Sequence, residues 1–206
     1  MAQGPLYSEE LGLDLGSCRE QDLFLWFLAS LLFGQRISEV IAGNTYHSFV
    51  RRGLTTPQKI VAAGRAYLVN PVMREGGYVR YDDTKSTKIL RDCAILLDLY
   101  GSSPQRMHDT ARDKSELEAR LLAFSGVGPV TMHIFLRKLR PHWGKADPAP
   151  LPFMRPLARR SGLHLDQYDR KSREFARVEA GLIRLRHLYR NRSSPRCQLG
   201  QAAWYQ

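Results

Sequence analysis

The stretch Ala123–Met132, read AFSGVGPVTM, places Gly126 and Gly128 two residues apart between two apolar segments. A glycine inside a helix costs roughly 0.5–1 kcal/mol against alanine, so two of them mark a break with a purpose. Glycine reaches backbone angles that a side chain forbids, and without a Cβ the backbone itself can approach a ligand. Pro129 suits the first turn of a following helix. A helix N-terminus presents unpaired N–H groups and a partial positive charge, which together bind phosphate. Gly126, Val127, Gly128, Val130 and Thr131 are therefore candidate phosphate contacts. A plain tight turn between two packed helices fits the same residues.

Charge points toward a polyanion. The 206 residues carry 31 basic and 20 acidic side chains, a net charge of +11. Residues 1–111 hold 12 of each sign, whereas residues 112–206 hold 19 basic and 8 acidic side chains. The whole excess lies in the second part of the chain, as a binding surface for nucleic acid would place it. Cys18, Cys93 and Cys197 lie far apart, with no metal-ligand spacing and no even-numbered disulfide framework. They read as ordinary thiols of a reducing, intracellular compartment. Glu9 and Glu10 stand where a secretory signal would need positive charge. The longest apolar run, Leu23–Phe33 broken by Ser30, is too short to span a bilayer, so no membrane is expected.

The elements that must carry the glycine turn are helices. Residues 1–19 form a loosely patterned lead-in. A helix from Glu20 to about Phe33 is apolar nearly all round, which marks it as central to a core. A second follows over 38–52, and Thr56 with Pro57 forms a cap and first-turn pair for a third. Residues 70–86, rich in Gly, Tyr and Asp, read as a loop with room for a short hairpin. Helices are predicted over 85–100, with Ile89, Ala94, Leu96 and Leu97 inward, and over 115–124 and 129–140. The proline-rich stretch PHWGKADPAPLPF has no regular structure. A short helix over 151–161 ends at Gly162. A last one over 171–190 repeats Phe175, Val178, Leu182, Leu185 and Tyr189 at steps of three and four. Residues from 191 on read as a tail. No repeat or strand is evident, and the fold class is all-α.

The segment LLAFSGVGPVTMHIFL resembles the helix–hairpin–helix motif, which grips DNA backbone without reading sequence. Three further landmarks resemble the helix–hairpin–helix DNA glycosylases of the endonuclease III and adenine glycosylase superfamily. The segment GKADPAPLPF stands where that family carries a catalytic aspartate, with Asp147 nineteen residues beyond Gly128. LFLWFLASLLFGQRIS looks like its early helix and places a glutamine, Gln35, at the helix end. GGYVRYDDTKSTKI looks like its G-x-Y…K-A-x-x-I element, through Tyr78 or Tyr81, Lys85 and Ile89. The landmarks cover about residues 22–165 in the family's order.

The resemblance implies a two-lobed helix–hairpin–helix glycosylase fold. One lobe would be residues 32–140. The other would join residues 1–31 to 141–206 and carry the catalytic turn and a basic C-terminal helix. A flipped base would occupy the cleft between them. Asp147 would stabilise the oxocarbenium-like sugar and align water. Gln35 would fill the gap left by the flipped nucleotide or contact the opposite base, and Lys85 and Arg155 would join the hairpin in DNA contact. Tyr78 and Tyr81 would stack on a base. Each residue also has a plainer reading. Asp147 could be an Asp-Pro turn residue, Gln35 a solvent-facing helix end, and the tyrosines core cover. Arg155, Arg159, Arg160, Arg173, Arg177 and Arg184 could form a solvated face, and His133 is read as a packed histidine.

Three departures from the family narrow the expectation. Val130 stands where strand-cleaving members carry a Schiff-base lysine, and an apolar side chain forms no imine; Lys138 and Lys145 are the amines nearest in sequence. Cys197 alone remains where many members end in four cysteines, so no iron–sulfur cluster is expected. Pro148 and Ala149 follow Asp147, where Thr-His is frequent in the family. The expectation is a monomeric, monofunctional glycosylase of damaged or mismatched bases in double-stranded DNA, cytoplasmic and nucleoid-associated if prokaryotic. It needs no redox cofactor and no metal, with a monovalent cation on the hairpin carbonyls compatible by resemblance. The alternative is a degenerate relative that binds DNA through the hairpin and does no chemistry. A helical module for protein partners fits the charge poorly.

Overall fold

The computed structural model describes residues 6–35 and 37–192. These form ten α-helices, and no strand occurs among them. Two units are distinguished: Tyr7–Ala149, and a smaller one built from Pro150 onward together with Leu6. The fold is all-α.

The larger unit is organised on α2 (Glu20–Phe33). Every residue from Asp22 to Phe33 is buried, as its all-round apolar sequence requires. The short α1 (Tyr7–Glu10) precedes it. Tyr7 stacks on Phe33 with ring centroids 4.5 Å apart and donates its hydroxyl to Glu39 Oε1 at 2.7 Å. Trp26, at the centre of α2, donates Nε1–H to the Phe135 carbonyl at 3.0 Å. Against α2 packs α3 (Glu39–Arg51), and α4 (Pro57–Tyr67) follows in the chain. Ser38 and Thr56 cap these two helices by accepting from Ile41 N–H and Lys59 N–H.

The region predicted as a loop over 70–86 is mostly helical. Leu68–Met73 follows α4 as turns broken at Asn70, which is extended before a cis Pro71, and α5 (Asp82–Tyr100) begins three residues before the expected Lys85. Val72 and Met73 are fully buried there, and burial of that apolar pair outweighs the turn signal of the neighbouring glycines. Asp82 and Asp83 favour the positive end of α5. Glu75 binds Arg51, Arg52 and Ser48 of α3. These partners, Arg51 first, pull its carboxyl down to about 2. Gly76 lies against α3, where a Cβ would overlap Thr45.

Beyond the left-handed Gly101 cap of α5, an unexpected short helix, α6 (Pro104–Asp109), intervenes. Then come α7 (Lys114–Leu122) and α8 (Pro129–Leu139), the two helices around the glycine turn. The smaller unit holds α9 (Met154–Arg160), a 3₁₀ turn at Leu165–Gln167, and α10 (Arg173–Arg192). Leu6, Ala176 and Ala180 share its core. Of the α10 stripe, Phe175, Val178 and Leu182 are buried, whereas Tyr189 is exposed. The tail from residue 193 lies outside the described residues.

The boundaries of the two units depart from the expected 32–140 lobe. Residues 7–31 belong with the larger unit because α2 is buried round its whole circumference and packs on α3, α6 and α8. The segment 141–149, with Asp147, also belongs there rather than with the C-terminal helices.

Asp113 caps α7 by accepting Glu116 N–H at 2.8 Å. Asp113→Ala is expected to cost about 1 kcal/mol and to lower the melting temperature by roughly 2–4 °C, while Asp113→Asn keeps most of the stability. Thermal unfolding of the two variants beside the wild type checks this.

Candidate functional site

The turn between α7 and α8 is tied to α5 by one carboxylate. Asp92 is fully buried. Its Oδ1 accepts Ser125 N–H at 2.7 Å and Ser125 Oγ–H at 2.8 Å, and its Oδ2 accepts Gly126 N–H at 2.8 Å. Burial pushes the Asp92 carboxyl up, against the pull of the Ser125 and Gly126 hydrogen bonds and of Lys85.

The two glycines therefore have different reasons. Neither has a positive φ, so the expectation of a reversal through forbidden angles is corrected. Gly126 is required by close packing: a Cβ there would overlap Asp92 Oδ2 and press on Leu31. The close approach is to Asp92, and the Gly126 N–H is already donated. Gly128 has nothing within 4 Å of a virtual Cβ and starts α8 with φ −107°, without a side-chain cap. The open end of the turn is thus Gly128 and the first turn of α8, where an anion would meet backbone N–H groups.

Thr131 is buried against Gly34, where a Cβ would overlap its hydroxyl. Its side chain is therefore not presented to solvent, and only its backbone is open to the expected phosphate contact. Val127 is buried and Val130 half-buried. The Gly34–Thr131 contact brings the end of α2, and with it half-buried Gln35, beside the first turn of α8.

Lys85 needs a second correction. It is only 3% exposed, and its Nζ donates no hydrogen bond. A side chain so placed does not reach a phosphate. Desolvation pushes the Lys85 amine down to about 7, with Asp92 opposing and Lys88 assisting. Lys85 and Asp92 lie two turns apart on the face of α5 that also buries Ile89 and Leu96. The two tyrosines separate cleanly: Tyr78 is buried, which removes it as a stacking surface, and Tyr81 is 66% exposed. Tyr81 has φ +63°, uncommon for a bulky residue, and the Arg80 guanidinium lies 5.0 Å from its ring centre.

Asp147 is held from the far end of α8. Arg140, which follows Leu139, places Nε 3.1 Å from Asp147 Oδ1 and donates Nη2–H to the Pro148 carbonyl at 2.8 Å. The Arg140 side chain is 1% exposed and that of Asp147 is 44% exposed. The carboxylate thus meets solvent while its cation is buried. Trp143 secures the preceding turn: it is buried and stacks on His108 at 4.7 Å. It also meets the edge of Phe135 and donates Nε1–H to Gln105 Oε1 at 2.8 Å. Lys145 donates Nζ–H to the His108 and Asp109 carbonyls at the end of α6, a placement favoured by the helix dipole.

Arg155 belongs to the smaller unit and pairs with Asp166 at 2.8 Å, both side chains exposed. Such a pair contributes little stability and exchanges readily with other anions. Arg159, Arg160 and Arg173 are exposed there, and Arg177 and Arg184 are half-buried. His133 is fully buried on α8.

Sequence reasoning missed Arg140, Asp92 and the α6 buttress. The signal for Asp92 was present, since residues 85, 89, 92 and 96 share one helix face and two of them are charged. No signal of that kind marks Arg140. Among the described residues no group of three His, Cys, Asp or Glu side chains is placed to hold a metal ion, and no helix is long and apolar enough to cross a membrane. No family model, curated protein or solved structure matches the chain.

Two outcomes follow. Gly126→Ala is expected to destabilise by about 1–3 kcal/mol through overpacking, while Gly128→Ala, with open space, changes stability by less than about 1 kcal/mol; chemical denaturation distinguishes them. The depressed Lys85 amine means that the folded state binds fewer protons than the unfolded chain above pH 7. Its contribution therefore makes stability rise as pH increases from about 7 to 10.5. Lys85→Met is expected to flatten that rise and to raise stability at pH 7. Denaturation of both proteins across the interval gives the difference.

Proposed function

We propose that the protein is a DNA glycosylase that excises a damaged or mismatched base from duplex DNA without efficient strand cleavage. The observation that carries this reading is the Asp147 carboxylate, open to solvent and clamped by a buried arginine at one end of α8, whose other end is the uncapped turn at Gly128. A phosphate at the Gly128 end would meet backbone N–H groups and the positive end of the helix dipole. The net positive charge of residues 112–206 supplies counterions for further phosphates.

The chemistry asked of Asp147 is electrostatic. As the bond from sugar to base breaks, positive charge grows on the sugar, and a fixed carboxylate stabilises it before water adds. Tyr81 supplies an exposed aromatic face beside a guanidinium, a pair suited to stacking on an unpaired base. Three observations bear on strand cleavage. Val130 has no amine, Lys145 is held by two carbonyls, and Lys85 is buried.

A non-catalytic duplex binder is the second reading, and one observation favours it. Arg140 holds the Pro148 carbonyl as well as Asp147, as a lock for a structural turn would.

The test is a panel of labelled duplexes, each with one lesion, incubated with the protein and divided between alkali and neutral work-up. Breaks that appear only after alkali are expected, and they name the base. Breaks under neutral conditions would show that an amine other than one at Val130 forms the imine. Tight duplex binding with no break for any lesion would favour the non-catalytic reading.

A further inference from the structure

We infer that Arg140 is a positioning residue for Asp147, fixing the direction in which its carboxylate faces a cationic sugar; the inference rests on the glycosylase reading above. A surface aspartate ordinarily samples several rotamers. Here one guanidinium spans two groups of the same turn: Nε lies 3.1 Å from Asp147 Oδ1 as an ion pair without hydrogen-bond geometry, and Nη2 donates to the carbonyl of the next residue, Pro148. The hydrogen bond fixes the peptide plane after Asp147, and the ion pair draws its carboxylate toward the same guanidinium. A single donor on a flexible stem does not span both groups in this way, which distinguishes arginine from lysine at this position.

The asymmetry of exposure gives the pair its direction. The arginine is buried at the end of α8, and the carboxylate is turned to solvent. Exposing one partner weakens the attraction but spares that partner its desolvation, so the pair can hold the turn and still present the carboxylate to an incoming cation. A carboxylate presented outward on a rigid mount is instead what electrostatic stabilisation requires, because a fixed charge has no reorganisation to undergo as the reaction proceeds. The reaction balances without further reagents. The bond between the sugar C1′ and the base nitrogen breaks, and its electron pair leaves with the base, which takes a proton from water. A water oxygen then bonds to C1′ and gives up its proton. Arg140 touches neither sugar nor base in this scheme and acts only through Asp147.

The mount is tested with two duplexes that need no knowledge of the target base. One carries a cationic pyrrolidine in place of the abasic sugar, and the other a neutral tetrahydrofuran. The wild type is expected to bind the cationic duplex at least tenfold more tightly, and Asp147→Asn to lose that preference. Arg140→Met is expected to lose at least fivefold of it while binding the neutral duplex within twofold of wild type. In the Asp147→Asn background the same change is expected to have no further effect on the preference. Arg140→Lys, which keeps the charge but not the fork, is expected to fall between the two, and it decides the matter if Arg140→Met fails to fold. A preference unchanged in Arg140→Met, or in Arg140→Lys where only that variant folds, overturns the assignment and leaves the glycosylase reading standing. A wild type with no preference overturns both.

Discussion

Burying a carboxylate in a helical core costs several kcal/mol unless its oxygens are hydrogen-bonded, and Asp92 meets that condition only through the turn it holds. Two backbone N–H groups and one hydroxyl converge on it from Ser125 and Gly126. The turn therefore takes the position that satisfies Asp92, and α8 leaves in the direction set by it. Glycine at 126 follows from the same contact, since any side chain would displace the carboxylate. Lys85, two turns earlier on α5, completes a buried polar pair in an otherwise apolar stripe.

From that anchor α8 carries the rest of the site. Its first turn lies against Gly34 at the end of α2, and Phe135 in its middle receives the Trp26 indole and the Trp143 ring edge. Its last turn leads into Arg140 and the segment of Trp143 and Asp147, which α6 holds through Gln105 and His108. The helix is thus held at both ends and in its middle, the kind of support that the proposed electrostatic role of Asp147 calls for.

Much of the fold was readable from residue patterns, and the reasons are local. The all-round apolar run of α2, the Thr56–Pro57 cap and the Gly162 stop after α9 each act within a few residues, so the sequence exposes them. Residues 68–75 were not legible as helix, because the decisive interactions come from α3: Arg51, Arg52 and Ser48 on Glu75, and Thr45 against Gly76. The turn at Ser125–Val127 is legible as a special place, but the close packing that requires Gly126 is not. The N–H of Gly126 goes to a residue 34 positions earlier in the chain. Tyr78 and Tyr81 looked equivalent in sequence, and only packing separates the buried ring from the exposed one. Asp147 stood out by its interval from the hairpin, whereas its arginine did not.

If, as proposed, the Gly128 end of α8 meets the backbone and Asp147 does the chemistry, binding and catalysis separate. The most direct measurement uses whichever lesion duplex releases its base with the wild type in the panel and compares the wild type with Asp147→Asn, measuring affinity and single-turnover base release on the same preparations. Affinity within about twofold and release slowed by about 100-fold or more are expected. Release at the wild-type rate in Asp147→Asn would contradict the proposal and leave Asp147 as a turn residue.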